Sequence, residues 1–167
     1  MRAEDERELT SLIAASSARW QRVAYLITGN WHDAEDVVGA AVTRLVRAWP
    51  RVTAADNPDA YATRVVVNEA NRWHRRHRLS ARHDDVAPEA IEMVDVAERE
   101  SIWLAIRALP SRQRSVIVLR YYLDWSEREI AEALECSNGT VKSQASKALA
   151  KLRRDLGVEL EREELAQ

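Results

Sequence analysis

The stretch that decides the fold is WSEREIAEALECSNGTVKSQASKALAKL, residues 125–152. Ser126 and Glu129 form a capping box, in which each side chain satisfies a backbone N–H at the start of a helix. A second start signal stands at Ser137, and apolar residues recur at three and four residues in both segments. These apolar residues are Ile130, Ala131, Leu134, Val141, Ala145, Ala148, Leu149 and Leu152. The spacing predicts two amphipathic helices joined by a tight turn.

The other face of the second predicted helix carries short hydrogen-bonding groups mixed with cations. Its residues are Asn138, Lys142, Ser143, Ser146, Lys147 and Lys151. Such groups read base edges and hold phosphates, so the pattern predicts a helix-turn-helix reader of duplex DNA. Cys136, the single cysteine, falls in the turn and cannot form an internal disulfide. We expect it to be a small buried hydrophobic residue.

Length and composition favour a helical protein of one ordinary domain or two small ones. The chain has 167 residues, of which 46% are hydrophobic and 31% charged, with four Gly and four Pro. No run approaches the roughly 20 apolar residues that span a bilayer. The N-terminal stretch MRAEDERELT is acidic and lacks the apolar core of a signal peptide. These features predict a cytoplasmic protein with no membrane contact.

Charge is distributed unevenly although the formal net charge is only −2. Residues 59–82 hold six Arg against two acids, and residues 83–100 hold seven carboxylates against one Arg. Residues 112–154 hold nine Lys or Arg against five acids. Two basic regions separated by an acidic connector predict two nucleic-acid contacts.

The N-terminal part predicts two helices before a polar turn. An apolar stripe from Leu9 to Ile27 ends at Gly29-Asn30, a signal for a helix end. The second helix is expected to run from Trp31–Asp33 to Trp49 and to be stopped by Pro50. Its expected inward side is Ala34, Val37, Val38, Ala41, Leu45, Val46 and Trp49. The interior Gly39 costs about 1 kcal/mol relative to Ala, which close backbone packing would offset.

The acids in the first turn of this second helix have two interpretations. Asp33, Glu35 and Asp36 suit the positive end of the helix dipole, and they also leave an acidic patch that a protein partner could contact. We give these two interpretations equal weight.

Residues 51–58, RVTAADNP, predict a turn before a third helix over 59–76. Its expected inward residues are Ala62, Val65, Val66, Ala70 and Trp73, and its expected outward residues are Arg64, Asn68, Arg72, Arg75 and Arg76. A row of Arg around one Asn favours nucleic acid over a merely solvated face. Tyr61, Trp73 and His74 could stack on bases or fill the core. His74, His77 and His83 lack partner ligands at convincing spacing, so no metal site is predicted.

Helical periodicity fails from Leu79 to Val96, where acids and Pro88 predict a flexible linker. A further helix then carries Ile102, Trp103, Ile106 and Leu109 and is expected to end at Pro110, with Ser111 capping the next helix. The sequence shows no Gly-rich phosphate loop and no constellation of nucleophile, base and oxyanion donors. No enzyme activity and no cofactor are predicted.

Three stretches together resemble the extracytoplasmic-function sigma factors of bacterial RNA polymerase, particularly their actinobacterial SigE-like subgroup. AYLITGNWHDAEDVV (24–38) is similar to the opening of the family's region 2, and AYATRVVVNEANRWHRR (60–76) to its promoter-melting helix. The stretch from Leu109 to Arg153 is similar to region 4. Their order and the separating linker also match the family.

The resemblance implies an all-α fold with two small helical domains joined by a flexible acidic linker. Residues 1–78 would be the region 2 helical bundle, 79–96 the linker, 97–158 the region 4 helix-turn-helix and 159–167 an acidic C-terminal tail. The implied partners are core RNA polymerase, promoter DNA as duplex and single strand, and an anti-sigma factor. The linker is expected to thread the polymerase's RNA path.

The resemblance also assigns residues to three contacts. The core polymerase contact would use Asp33, Glu35, Asp36 and Val38. The −10 element would be held as a single strand by Tyr61, Arg64, Asn68, Arg72, Arg75 and Arg76. The −35 element would be read by Asn138, Thr140, Lys142, Ser143, Ser146 and Lys147. Thr140, at the start of the recognition helix, is expected to favour a phosphate.

Two positions depart from the family pattern, and two other functional classes stay open. Gly39 stands where the polymerase-binding motif usually has Gln, and Gln144 and Ser146 stand where many relatives carry larger or basic residues. The preferred −35 sequence therefore cannot be copied from relatives. The alternatives are a stand-alone helix-turn-helix regulator and a sigma-like adaptor that does not read promoters.

Overall fold

The computed structural model describes residues 2–77 and 96–157, with side chains in the second range from Glu100 onward. Contacts divide the chain into two compact units, unit 1 (Met1–Glu89) and unit 2 (Ala90–Gln167). Every regular element in the described residues is helical. The expected linker and the expected acidic tail lie outside the described residues, except for Val96, which begins a helix.

The described part of unit 1, residues 2–77, forms four helices: α1 (Ala3–Thr28), α2 (Trp31–Arg47), α3 (Trp49–Thr53) and α4 (Pro58–His77). The predicted end of α1 is confirmed, because Gly29 adopts a left-handed conformation with φ 82° and its N–H bonds to the Tyr25 carbonyl at 2.7 Å. Asn30 then caps α2, accepting the Asp33 N–H at 3.1 Å. The apolar stripe from Leu9 to Ile27 lies on a single long helix, α1.

The predicted stop of α2 at Pro50 is wrong. The helix already ends at Arg47, and Pro50 lies in the first turn of α3. A proline fits there because the first backbone N–H groups of a helix have no partner within it. The expected turn over 51–58 is correspondingly shorter, since Arg51 to Thr53 are helical.

The core of unit 1 lies where α1, α2 and α4 pack on one another. Among its fully enclosed side chains are Trp20, Ile27, Leu45, Val66 and Val67. Two expectations for α2 are wrong: Val46 is 42% exposed, and Gly39 is exposed with no atom within 4 Å of a built Cβ. Close backbone packing is therefore not what offsets the cost of Gly39.

Unit 2 contains α5 (Val96–Arg107), α6 (Ser111–Ile117), α7 (Glu127–Leu134) and α8 (Asn138–Leu156). A wider turn of π-helix, Val118–Tyr122, continues α6, and its Leu123 N–H reaches the Val118 carbonyl five residues back at 3.2 Å. The residue in the cap position of α6 is Pro110, with no side-chain cap, so the prediction that Ser111 would cap this helix is wrong.

The core of unit 2 holds α8 against the preceding helices. One cluster joins Ala105 and Leu109 to Ile117, Ala148 and Leu152. Ile102, expected to face inward, is exposed. Cys136 is half-buried rather than buried, and it directly follows Glu135, which ends α7 in the left-handed conformation. Across the described residues, no helix is both long enough and apolar enough to span a bilayer.

Candidate nucleic-acid interface

A groove of about 780 Å³ opens on unit 1 between α2, α3 and α4. Five guanidinium groups and one carboxylate line it, with one tyrosine and one asparagine among smaller side chains. These charged and polar residues are Arg44, Arg47, Arg51, Arg72, Arg76, Glu69, Tyr61 and Asn68. The groove is therefore concave and strongly basic, with an aromatic ring and an amide at its wall.

The single carboxylate of the groove, Glu69, joins two of its arginines. The Glu69 side chain is only 4% exposed, and its Oε1 forms an ion pair with Nε of Arg44 and accepts a hydrogen bond from Nη1 of Arg72 at 3.2 Å. Arg44 belongs to α2 and Arg72 to α4, so the carboxylate links the two helices that form the walls. A buried carboxylate without such partners would be strongly unfavourable.

The structure brings together four of the six residues predicted for the −10 contact. Tyr61, Asn68, Arg72 and Arg76 line the groove, whereas Arg64 and Arg75 are exposed and lie outside its lining.

The two other aromatic candidates of α4, Trp73 and His74, are engaged within the unit. The half-buried Trp73 stacks on His77, with ring centroids 4.5 Å apart. Nε2 of His74 lies 2.6 Å from the Ile27 carbonyl, so this nitrogen carries the proton. His83 of the rejected metal site lies outside the described residues.

Three arginines of the groove were missed from the sequence. Arg44 and Arg47 lie one turn apart at the end of α2, and Arg51 follows in α3. Their spacing was a usable signal, since residues three apart share a helix face. What the sequence could not give is that this face of α2 meets the Arg face of α4.

The acidic start of α2 supplies three of the four residues predicted for the polymerase contact. Glu35 and Asp36 are exposed, and Asp33 is half-buried. Burial raises the pKa of the Asp33 carboxyl, while the nearby His32 and His77 oppose that rise. Val38 is only 9% exposed and belongs to the packing face of α2. Val38 therefore packs on the buried side of α2 and is not an exposed contact residue.

The helix-turn-helix prediction is confirmed in unit 2. The Glu129 carboxylate accepts the Ser126 N–H at 2.9 Å, and the Ser126 hydroxyl accepts the Glu129 N–H at 3.3 Å, which completes the capping box. Ser137 caps α8 by accepting the Thr140 N–H at 3.1 Å. The predicted apolar faces are buried at Ile130, Ala131, Leu134, Val141, Ala145, Ala148 and Leu152.

The recognition face of α8, defined by Asn138, Lys142, Ser143, Ser146 and Lys147, is exposed throughout. Thr140 is half-buried, and its hydroxyl lies 2.9 Å from the Ser137 hydroxyl. Because its N–H already bonds to Ser137, that backbone group is engaged in the cap rather than presented to a phosphate. The remaining predicted residues form one continuous polar surface.

Lys142 on this face is held from the neighbouring helix. Its Nζ lies 3.6 Å from Oε2 of Glu127, while Oε1 of Glu127 accepts from Arg120 at 3.2 Å. Glu127 was not predicted from the sequence, because it lies at the start of α7 and not on the recognition helix α8. Its position shows how α7 constrains a cation of α8.

Both units match family models. Residues 12–80 match Sigma-70 region 2, and residues 99–152 match Sigma-70, region 4. The chain is 37% identical over 128 residues to the RNA polymerase sigma-E factor of Streptomyces coelicolor, covering 74% of this chain and 72% of the relative. It is 31% identical over 151 residues to the ECF RNA polymerase sigma factor SigL of Mycobacterium tuberculosis, covering 82% and 84%.

A solved structure shares the fold. In the complex of the sigma factor RpoE with the anti-sigma factor NepR from Bartonella quintana, the matching chain gives a TM-score of 0.67 at 22% identity. The match covers 95% of this chain and 100% of that chain. The family models, the curated relatives and the fold agree with the motifs read from the sequence: the chain belongs to the extracytoplasmic-function sigma factors of bacterial RNA polymerase.

Proposed function

We propose that this sigma factor binds core RNA polymerase, recognises the −35 and −10 promoter elements and promotes promoter melting. The observation that carries the proposal is the presence of two cationic surfaces of different shape, a concave groove on unit 1 and an exposed helix face on unit 2. We assign residues 1–78 to the polymerase and −10 contacts, 97–158 to the −35 contact, 79–96 to a linker and 159–167 to a tail.

The groove suits a single strand better than a duplex. Single-strand sites combine a cationic track for the backbone with a ring on which a base can stack. Arg72 and Arg76 supply the track on α4, and the half-buried Tyr61 supplies the ring. Asn68 offers an amide that both donates and accepts hydrogen bonds, so it is our candidate for a base contact.

The recognition face of α8 suits the major groove of a duplex. That groove admits one α-helix, and lysine there can donate to guanine while serine can donate or accept. Lys142 and Lys147 are the cations of the face, and Ser143 and Ser146 its small hydrogen-bonding groups. We assign these residues and Asn138 to the −35 element, with Thr140 completing the cap that fixes the start of the helix.

The acidic start of α2 is our candidate for the polymerase contact. Exposed Glu35 and Asp36, with half-buried Asp33, present carboxylates at the end of a helix whose other face is packed in the core. An anti-sigma factor is also a proposed partner, on the resemblance to a family whose member RpoE was solved with NepR. No catalytic group, cofactor, metal or membrane contact is part of this function.

Run-off transcription with purified core polymerase tests the proposal. We expect core polymerase plus this protein to start at discrete sites on a promoter template, whereas core polymerase alone does not. A stand-alone regulator would act only when another sigma factor is added, and a sigma-like adaptor would give no promoter-specific transcript. Either of these two results would contradict the proposal.

A further inference from the structure

Among the described residues that line the groove of unit 1, Glu69 is the one acidic side chain, and the proposed strand contacts give it no role. A carboxylate in a site for a polyanion opposes binding by simple Coulomb repulsion. Its side chain is nevertheless almost fully enclosed, and it faces guanidinium groups of both walls. Because its charge alone would lower the affinity for a strand, any favourable contribution of Glu69 to binding must come through the arginines that it contacts.

The geometry leaves both bound arginines with donors to spare. A guanidinium has five N–H donors, and the contacts with Glu69 use Nε of Arg44 and Nη1 of Arg72. Both side chains are partly exposed, at 50% and 42%, so each has a free portion that can reach a ligand. Held at one edge, a planar guanidinium loses less freedom when its other edge binds a phosphate.

We propose that Glu69 is a positioning residue, whose carboxylate orients Arg44 and Arg72 toward the phosphates of the single strand. The inference rests on the proposed function, because it concerns how the same groove holds the strand. Glu69 itself does not touch the nucleic acid. Its contribution is to fix two cations, one from each wall, at a separation set by the packing of α2 against α4.

Charge and position predict opposite results for the volume-matched substitution Glu69→Gln. Removing the carboxylate changes the groove from five positive groups and one negative group to five positive groups alone. If charge alone mattered, the variant would bind a strand more tightly. If Glu69 positions the arginines, the variant binds about fivefold more weakly, since a neutral amide oxygen accepts more weakly than a carboxylate and holds the two guanidinium groups less firmly.

The experiment measures binding of a fluorescent single-stranded oligonucleotide carrying a selected −10 sequence to the full chain assembled with core polymerase. Affinity is recorded over a range of salt concentrations. The slope of log K against log salt is negative, and each lost phosphate contact reduces its magnitude by about 0.7. We therefore expect Glu69→Gln to weaken binding and to flatten this slope. The matched control is Glu8→Gln, which removes one exposed carboxylate of unit 1 outside the groove.

A double-mutant cycle separates positioning from a purely structural role. We expect the effect of Glu69→Gln to shrink to less than about twofold in an Arg72→Gln background, because the residue acts partly through Arg72. Circular dichroism reports whether each variant folds. Should Glu69→Gln unfold unit 1, Arg72→Lys makes the same test with the carboxylate in place. Lysine keeps the charge, but it lacks the planar set of donors by which one guanidinium can contact Glu69 at one edge and a phosphate at the other. Binding about threefold weaker is therefore expected.

Four results would overturn the inference. These are tighter or equal binding by folded Glu69→Gln, a full loss that persists without Arg72, equal binding by Arg72→Lys, and a change of the same size in the Glu8→Gln control. Failure of the proposed function looks different. In that case the wild-type protein with core polymerase binds the oligonucleotide no better than core polymerase alone, and the inference falls with it.

Discussion

The groove of unit 1 and the recognition face of unit 2 both present cations, but they hold them differently. In the groove a carboxylate that is 4% exposed joins arginines of two helices. On the recognition face, Lys142 is 68% exposed and its nearest carboxylate, Glu127, is 30% exposed. Arg44 and Arg72 are therefore paired with a buried carboxylate, whereas the partner of Lys142 is a half-exposed carboxylate at 3.6 Å.

This difference fits the two forms of DNA proposed as ligands. A single strand is flexible, so a site with a preformed arrangement of cations limits the freedom lost on binding. A duplex is itself stiff and presents its groove ready-made, so an exposed face with adaptable lysines can fit it. On the proposed assignment, the site with the more firmly paired cations is the one that binds the more flexible form of DNA.

The largest expected effect comes from the core that supports the groove. Trp20 is completely buried, and its Nε1 donates to the Thr63 hydroxyl of α4 at 3.3 Å. Trp20→Ala should lower the free energy of unfolding by about 3–5 kcal/mol, since it leaves a large cavity. Urea titration followed by circular dichroism measures this. The exposed Val46→Ala is the control, and an equal shift of the two midpoints would refute the assignment of Trp20 to the core.

The next effect concerns the recognition face. Lys142→Ala should weaken binding to a selected −35 duplex by about 1–3 kcal/mol if the lysine reads a guanine, with part of the loss in specificity. Arg128→Ala is the matched control, because it removes one exposed cation of unit 2 that lies on α7 and not on the recognition face. Fluorescence anisotropy on the selected and a scrambled duplex gives both values. Equal binding by wild type and Lys142→Ala would remove this residue from the interface.

Asn68→Ala tests the groove with the same logic. It should cost about 1.5 kcal/mol in open-complex stability through the loss of a base contact, while binding to the −35 duplex stays unchanged. Permanganate footprinting of the melted bases reports the open complex. Asn138→Ala, on the recognition face, should give the reverse pattern. Melting that is indistinguishable from wild type would mean that Asn68 does not touch the strand.

A smaller effect is expected from the cap of α7. Ser126→Ala removes the hydroxyl that accepts the Glu129 N–H, and it should destabilise unit 2 by about 1 kcal/mol. Thermal unfolding measured by circular dichroism gives the change. Ser143→Ala, an exposed serine within α8, should stay within about 0.5 kcal/mol of wild type. Equal thermal stability of the Ser126→Ala and Ser143→Ala variants would show that the capping box does not contribute to the stability of unit 2.

The smallest effect depends on pH and involves Asp59 in α4. Burial by itself would raise the pKa of Asp59, but hydrogen bonds from Arg19 and Ser16 outweigh it and hold that pKa below its ordinary value. A carboxyl with a lowered folded pKa stabilises the protein above its unfolded pKa, and this contribution disappears as pH falls through the folded value.

Asp59→Asn should therefore unfold at a lower temperature than wild type at neutral pH, and the gap should close in acid. Thermal midpoints measured from neutral pH down to about pH 2 test this. Glu8→Asn, at an exposed position of α1, controls for the loss of a surface charge. A gap that stays constant over the whole range would show that ionisation of Asp59 does not contribute.

Much of the fold could be predicted from the sequence because helical periodicity marks buried faces directly. Trp20, Leu45 and Ile130 all fall on predicted stripes and are fully buried. Local signals also placed the ends of α1 and α7, since Gly29 and Ser126 act within one turn of chain. Predictions failed where a local signal had two outcomes, as at Pro50, which can stop one helix or open another.

The candidate site was harder to predict because its defining contacts join residues far apart in the chain. Asn68 and Arg72 were found from their spacing on one helix. Glu69 lies between them and looked like an ordinary acid in a basic segment. Its burial depends on Arg44, which stands 25 positions earlier on α2, and no pattern along the chain connects the two.

The π-helical turn Val118–Tyr122 that continues α6 has a consequence for how this sequence tolerates change in length. A π-helical turn accommodates about one residue more than an α-helical turn, so it stores an insertion without breaking the helix. Deleting one residue there would restore regular winding while the residues on either side of the turn keep close to their present orientation. Tyr121 and Tyr122, which are exposed, lie within the turn that such a deletion would rewind. This turn is therefore the place in α6 and its continuation where the loss of one residue would disturb the helix least.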